Sequence, residues 1–201
     1  MAAKGKYPAL RSTLAKYRET PLVEMSVEKV MKSELMAKET KHTGKIYFGG
    51  GNFRWENKTP TENLIVFDGR YLWNVQYPDP DFPGPLQITK SRIDGKNRAQ
   101  LILLDLLVNA AFLESFDVTL TYDRGDKNIA IYLAEAKGKS LNIKDLRIRL
   151  NISAKELVGV SYKDDVENET ILTFTKIKFN SNGNSELFKY KAPKGSKVTE
   201  L

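Results

Sequence analysis

Thr43-Gly44-Lys45-Ile46-Tyr47-Phe48, Asn52-Phe53-Arg54-Trp55-Glu56, Asn63-Leu64-Ile65-Val66-Phe67 and Tyr71-Leu72-Trp73-Asn74-Val75-Gln76-Tyr77 decide the fold. Each run is short and rich in aromatic and β-branched residues, which fit a pleated, half-buried surface. Turn formers separate them: Gly49-Gly50-Gly51 after the first, Pro60 after the second, and Asp68-Gly69 after the third. Asp-Gly supplies the positive φ of a tight hairpin, so these runs read as consecutive antiparallel strands.

The same grammar continues toward the C-terminus. Phe116, Val118, Leu120 and Tyr122 alternate with polar residues, as do Ile129, Ile131 and Leu133, then Leu146, Ile148, Leu150 and Ile152, then Val158, Val160 and Tyr162. Period-two alternation of this kind marks strands with one face inward. Thr173 to Phe179 and Leu187 to Tyr190 read as two more, with Asn182-Gly183-Asn184 as the turn between them. The segment from Tyr77 to Pro85 concentrates prolines, which donate no ladder hydrogen bond, so it is expected to be a loop or an edge. Leu86 to Lys90 resumes a strand.

Two helices interrupt the pattern. Leu10, Leu14 and Tyr17 recur at helical spacing behind Pro8, giving a short amphipathic helix over Tyr7 to Tyr17. Asn97 to Leu113 is the second, and Leu101 through Leu107 make it apolar nearly all the way round, so it must be covered on more than one side. Between Met25 and Ala37 periodicity fits both a helix and a strand. About ten strands and two helices imply a mainly β, α+β fold: a large antiparallel sheet that curls around its apolar face, with helices over the concavity. An apolar helix in such a concavity creates the kind of pocket that small hydrophobic ligands occupy.

Composition narrows the classes. The chain has 201 residues, 41% hydrophobic and 28% charged, which is expected to form one domain over residues 1–201. Lys and Arg exceed Asp and Glu by 32 to 25, suiting an anionic partner such as a phospholipid surface, a nucleic acid or an acidic protein, though most such excesses are only a solvated face. Lys90, Arg92, Lys96 and Arg98, and Lys189, Lys191, Lys194 and Lys197, are the two clusters that could meet anionic headgroups. Cysteine is absent, removing disulfides, thiol nucleophiles and thiolate metal sites. The lone His42, placed in a turn or at a strand end, reads as solvated, and no metal site or cofactor is expected. No nucleophile elbow or phosphate-binding loop occurs, so no enzyme is expected. Met1 to Lys6 leads into the first helix without the apolar core of a secretory leader, which means a cytosolic protein or a leader already removed.

The order and spacing of Gly44, Phe53-Arg54-Trp55, Pro60, Asp68-Gly69 and Leu72-Trp73 resemble the LolA family of outer-membrane lipoprotein carriers. Phe188-Lys189-Tyr190-Lys191-Ala192-Pro193-Lys194-Gly195 is similar to that family's closing strand. The resemblance implies an unclosed barrel with a helical lid, working in the periplasm as a monomer. It would bind acylated lipoproteins and move them from an inner-membrane exporter to an outer-membrane acceptor. It also makes Met25 to Ala37 a strand. The implied cavity and lid residues are Phe53, Trp55, Leu64, Val66, Trp73, Val75, Leu103, Leu104 and Leu107, with Leu10 and Leu14 from the first helix. One departure stands out: where the family commonly has Arg-Pro, and the Arg latches the lid, this chain has Gly49-Gly50-Gly51. Arg54 cannot replace that latch, because alternation puts it on the face opposite Phe53 and Trp55.

Three further readings stay open. The same fold serves an outer-membrane acceptor of the LolB kind, which carries a lipidated N-terminal Cys, and it serves carriers of other lipids or glycolipids. A nucleic-acid-binding β-barrel would instead expose its aromatics on a basic face to stack bases. Two aromatics on one face of a strand are also what an ordinary core requires.

Overall fold

Turn chemistry sets the first hairpins. In the computed structural model, which describes residues 7–92, 102–138 and 143–201, β1 spans Leu22–Ser33, β2 Lys38–Gly49 and β3 Asn52–Thr59. Gly50 and Gly51 form the two-residue loop between β2 and β3, with φ of 58° and 78°. Positive φ at both central positions is what a tight hairpin turn of this twist demands. Gly49, just before it, lies so close to β1 that an added Cβ would stand 2.2 Å from the Pro21 carbonyl oxygen. A side chain such as Arg therefore has no room there, which is the physical reason for the glycine run. β4 (Asn63–Phe67) and β5 (Tyr71–Gln76) follow. In their turn the Asp68 carboxylate accepts from the Arg70 and Tyr71 amides and from Trp73 Nε1, while Gly69 takes φ 87°.

β6 (Gln87–Arg92) ends the first meander, and β7 (Phe116–Tyr122), β8 (Ile129–Ala136), β9 (Ile143–Asn151), β10 (Glu156–Asp164) and β11 (Glu169–Asn180) form the second. β12 (Val198–Glu200) is a short addition. All twelve strands make one sheet, in the order β12-β6-β5-β4-β3-β2-β1-β11-β10-β9-β8-β7, and its outer strands do not pair with each other. The two meanders join where β1 pairs antiparallel with β11. β6 and β7 thus lie toward opposite ends of the sheet, and the connection between them carries α2 (Ile102–Val108). α1 (Pro8–Glu19) turns Leu10, Thr13, Leu14 and Tyr17 inward.

Residues directly opposite in antiparallel strands share a face, so register defines the concave surface. Val23, Phe48, Phe53 and Phe67 line up across β1 to β4, as do Met25, Ile46, Trp55 and Ile65. Val160 and Leu172 continue the row, as do Ile148, Tyr132 and Leu150. Both helices pack on this surface in one continuous buried cluster. No helix among the described residues is long and apolar enough to cross a membrane.

Several expectations need correction. Met25 to Ala37 is strand only to Ser33, and Leu35 is 91% exposed in the following turn. In β8 the inward residues are Ala130, Tyr132 and Ala134, not Ile129, Ile131 and Leu133. Pairing with β9 decides this, since Tyr132 opposes Ile148 and Ala130 opposes Leu150. Leu187 to Tyr190 is no strand: a 3₁₀ turn over Ser185–Phe188 leads into irregular chain, and the Asn184 side chain accepts from the Glu186 amide to cap it. The tail then adds β12 to β6 in parallel, Val198 beside Ile88. Of the long apolar helix, Ile102 to Val108 is helical, while residues 97–101 lie outside the described residues, as do Lys96, Arg98 and Met1 to Lys6.

Gly44 shows how tightly β2 and β3 approach. An added Cβ would lie 2.1 Å from the Glu56 carbonyl oxygen, a backbone atom that cannot swing aside. Gly44→Ala is expected to cost about 1–3 kcal/mol through forced strand separation, read as a lower midpoint in thermal melts. An unchanged midpoint would mean that the strands part without cost.

Candidate functional site

The concave face is not filled everywhere. Where β3 and β4 pass beneath α2, a cavity of about 480 Å³ opens, within the range of about 300–1,000 Å³ that small-molecule sites occupy. Its floor is Phe53, Trp55 and Ile65, its roof Ile102, Leu103 and Leu104, and its far wall Tyr162 and Leu172. At the mouth stand Lys29, Met31, His42, Asn57, Glu62 and Thr170.

The apolar part follows from strand alternation. Phe53 and Trp55 are two residues apart on β3, 1% and 7% exposed, with rings edge to face at 6.4 Å. Their neighbour Arg54 points the other way, as its position predicts. Its Nε lies 2.7 Å from Glu56 and its Nη1 donates to the Leu187 carbonyl. Arg54 thus ties the C-terminal segment to the outer face and has no part in closing the cavity.

The polar part is unusual. Lys29 and His42 are opposite one another on β1 and β2, both facing inward at the mouth. Burial pushes the Lys29 ammonium below its ordinary pKa. His42 is lowered too, first by burial and then by the Lys29 charge. His42 is therefore a half-buried strand residue on the cavity rim, not a solvated turn residue. Lys29 Nζ sits 5.8 Å from the Trp55 ring centroid, close enough for cation–π attraction, and forms no ion pair among the described residues. Trp55 Nε1 and Asn57 Oδ1 are buried without a hydrogen-bond partner among the described residues. Leaving such a group unpaired costs about 1–3 kcal/mol, so it marks a place where a partner is missing.

Of the expected residues, Phe53, Trp55, Leu103 and Leu104 come together around the cavity. Leu10, Leu14 and Leu107 lie in the adjoining core but do not line it. Leu64, Val66, Trp73 and Val75 are on the opposite face of the sheet. Register places Val66 beside Arg54 and Val75 beside Leu64 and Ile88. There they form a second buried cluster, covered by Tyr77, Leu86, Tyr190, Ala192 and Val198, with the Trp73 ring 5.4 Å from Tyr190. The correction has a simple cause: β4 and β5 are apolar on both faces, so hydrophobicity does not tell inside from outside. Ile65 is the β4 residue that reaches the cavity. Lys29, His42 and Asn57 carried no sequence signal, because charged and amide residues on a strand read as solvent-facing.

The wall aromatics Phe53 and Trp55 are hidden, whereas a base-stacking platform needs them exposed. Of the basic residues, Lys90 is paired with Glu200 and Lys189 with Glu186. Among the described residues no cluster of three His, Asp or Glu could hold a metal ion.

Comparison with known proteins agrees with this architecture. The family model of the outer membrane lipoprotein carrier protein LolA matches residues 29–191. The outer-membrane lipoprotein carrier protein of Legionella pneumophila (strain Corby) is 31% identical over 154 residues, 75% of this chain and 69% of that protein. That of Vibrio cholerae serotype O1 (strain M66-2) is 28% identical over 149 residues, 74% of this chain and 67% of its own. Among solved structures, MucB superposes with a TM-score of 0.53 at 11% identity, over 91% of this chain and 62% of MucB, a likeness of fold alone. With the sheet, its helical cover and the sequence match all in agreement, the chain belongs to the LolA family of outer membrane lipoprotein carrier proteins.

Proposed function

We propose that this chain is a periplasmic carrier, one domain over residues 1–201, that holds lipoprotein acyl chains between β3 and α2. It would take them from an inner-membrane exporter and hand them to an outer-membrane acceptor, acting by binding and not by catalysis. The observation that carries the reading is the 480 Å³ cavity under α2, walled by Phe53, Trp55, Leu103 and Leu104. Burying each acyl methylene is worth about 0.8 kcal/mol, so an apolar wall alone holds a chain firmly without selecting its sequence. Transfer then needs only an acceptor with a better apolar site. α2 lies over a sheet whose outer strands are unpaired with each other, an arrangement able to widen. Leu35 and Met36, 91% and 70% exposed in the β1–β2 turn, offer an apolar contact for an acceptor or an anionic lipid surface.

Native mass spectrometry with a triacylated lipopeptide tests this. The wild-type chain is expected to form a one-to-one complex, and Leu104→Asp to lose it while circular dichroism still reports a β-sheet protein. A folded wild-type protein that takes up no lipopeptide would refute the carrier reading.

A further inference from the structure

The walls of the cavity explain a chain, but not its mouth. A carrier of purely apolar chains needs no cation there, yet Lys29 faces inward on β1 at the rim, and none of the ion pairs among the described residues includes it. The lining also holds one carboxylate, Glu62, which is exposed, and no ion pair among the described residues joins it to Lys29. Beside Lys29, Trp55 is more than nine-tenths buried, and its Nε1 donor has no acceptor. An unspent ammonium and an unspent N–H, both lining one cavity, call for the same thing: an acceptor carrying negative charge.

We propose that the cavity accepts acyl ligands with an anionic head, the head seated at Lys29 Nζ and Trp55 Nε1 and the chain among Phe53, Leu103 and Leu172. This rests on the reading that the cavity holds acyl chains, and extends it from lipoproteins to amphiphiles with a carboxylate or phosphate head. Asn57 Oδ1, the second unpartnered atom, is an acceptor and repels an anion. The head therefore sits on the Lys29 side, leaving Asn57 to a water or a head-group hydroxyl. His42 opposite Lys29 adds a second nitrogen to the rim, held toward its neutral form first by burial and then by the lysine charge. Burial weakens the hold of water on Lys29, so a charge-assisted hydrogen bond to an incoming anion meets less competition there than at an open surface lysine.

Binding of three single-chain ligands separates the outcomes: palmitate, 1-palmitoyl lysophosphatidate, and neutral monopalmitoylglycerol, each by titration of tryptophan fluorescence and by native mass spectrometry. At least one anionic ligand is expected to bind about tenfold or more tightly than the neutral one. Preference for palmitate would identify a fatty-acid carboxylate as the head, and preference for lysophosphatidate a phosphate. Lys29→Met is expected to abolish the preference by weakening the anionic ligands about tenfold more than monopalmitoylglycerol, and to melt no lower than wild type, since it removes a half-buried charge. Trp55→Phe is expected to reduce the preference about threefold or more. Equal binding of charged and neutral ligands, or a preference that survives Lys29→Met, would overturn the inference while leaving the lipoprotein carrier intact. No binding of any of the three, nor of a triacylated lipopeptide, would overturn both.

Discussion

Tyr17→Ala is expected to destabilise the fold by about 3–5 kcal/mol, the cost of emptying a large buried aromatic site. The residue joins the last turn of α1 to the second meander. It is fully buried, its ring stands edge-on to Phe179 at 5.1 Å, and its hydroxyl oxygen accepts the Leu157 amide at 3.0 Å. That amide lies next to an irregularity in the pairing of β9 with β10, where the ladder offers less support. In a chain of this length the loss corresponds to a fall of about 6–20 °C in melting midpoint. Tyr17→Phe keeps the ring but leaves the Leu157 N–H unsatisfied, for about 1–3 kcal/mol. Burial also raises the Tyr17 pKa far above its ordinary value of 10.0. A raised pKa in the folded state means that the neutral form is favoured by folding. Its contribution is complete below about pH 10 and is lost as the pH climbs above that value. Melts on either side of pH 10 should therefore show wild type losing stability faster than Tyr17→Phe. Parallel pH profiles for the two would show that the phenol is not held in a desolvated site.

Val75→Asp is expected to cost a comparable amount, about 3–5 kcal/mol, for a different reason: it places an unpaired carboxylate in an apolar cluster. Val75 is fully buried on the outer face, with Leu64 on one side and Ile88 on the other. The substitution should also release Tyr190, Ala192 and Val198, which lie over that cluster, and so speed proteolysis of the C-terminal segment. The milder Val75→Ala keeps the chain folded and isolates the functional question. Lipopeptide binding by Val75→Ala should match wild type, because Val75 is not part of the cavity wall. Binding weakened as severely as by Leu104→Asp would place the acyl chains on the outer face instead.

The contrast between Val75 and Trp55 shows where reading the sequence stops. Most strand positions, the Asp68-Gly69 hairpin, the first helix and the apolar character of Ile102 to Leu107 were legible, because each depends on local sterics or on periodicity within one element; Leu187 to Tyr190, a 3₁₀ turn leading into irregular chain, was not. The family resemblance was legible from landmark spacing for the same reason. The faces of β4 and β5 were not legible. Both carry large apolar residues at odd and even positions, and the C-terminal segment that buries one face lies more than one hundred residues away in the chain. The face of β8 is hidden likewise, since Ala130 and Ala134 look less apolar than Ile131 and Leu133 until Ile148 and Leu150 are set opposite.

The cavity mouth is the clearest case. Lys29 and His42 are ordinary strand residues by composition, and thirteen positions apart they share no pattern. Pairing of β1 with β2 brings them face to face, and the curl of the sheet turns both toward Trp55. The sequence by itself determined most of the elements, the family and the apolar nature of the interior, because backbone preference and hydrophobic periodicity act over a few residues. Only the tertiary structure decided which apolar residues line the cavity and which close the outer face, and that a cation and an unpaired indole N–H share its mouth. Long-range strand register and the path of the C-terminal segment set these outcomes, and neither leaves a local trace in the chain.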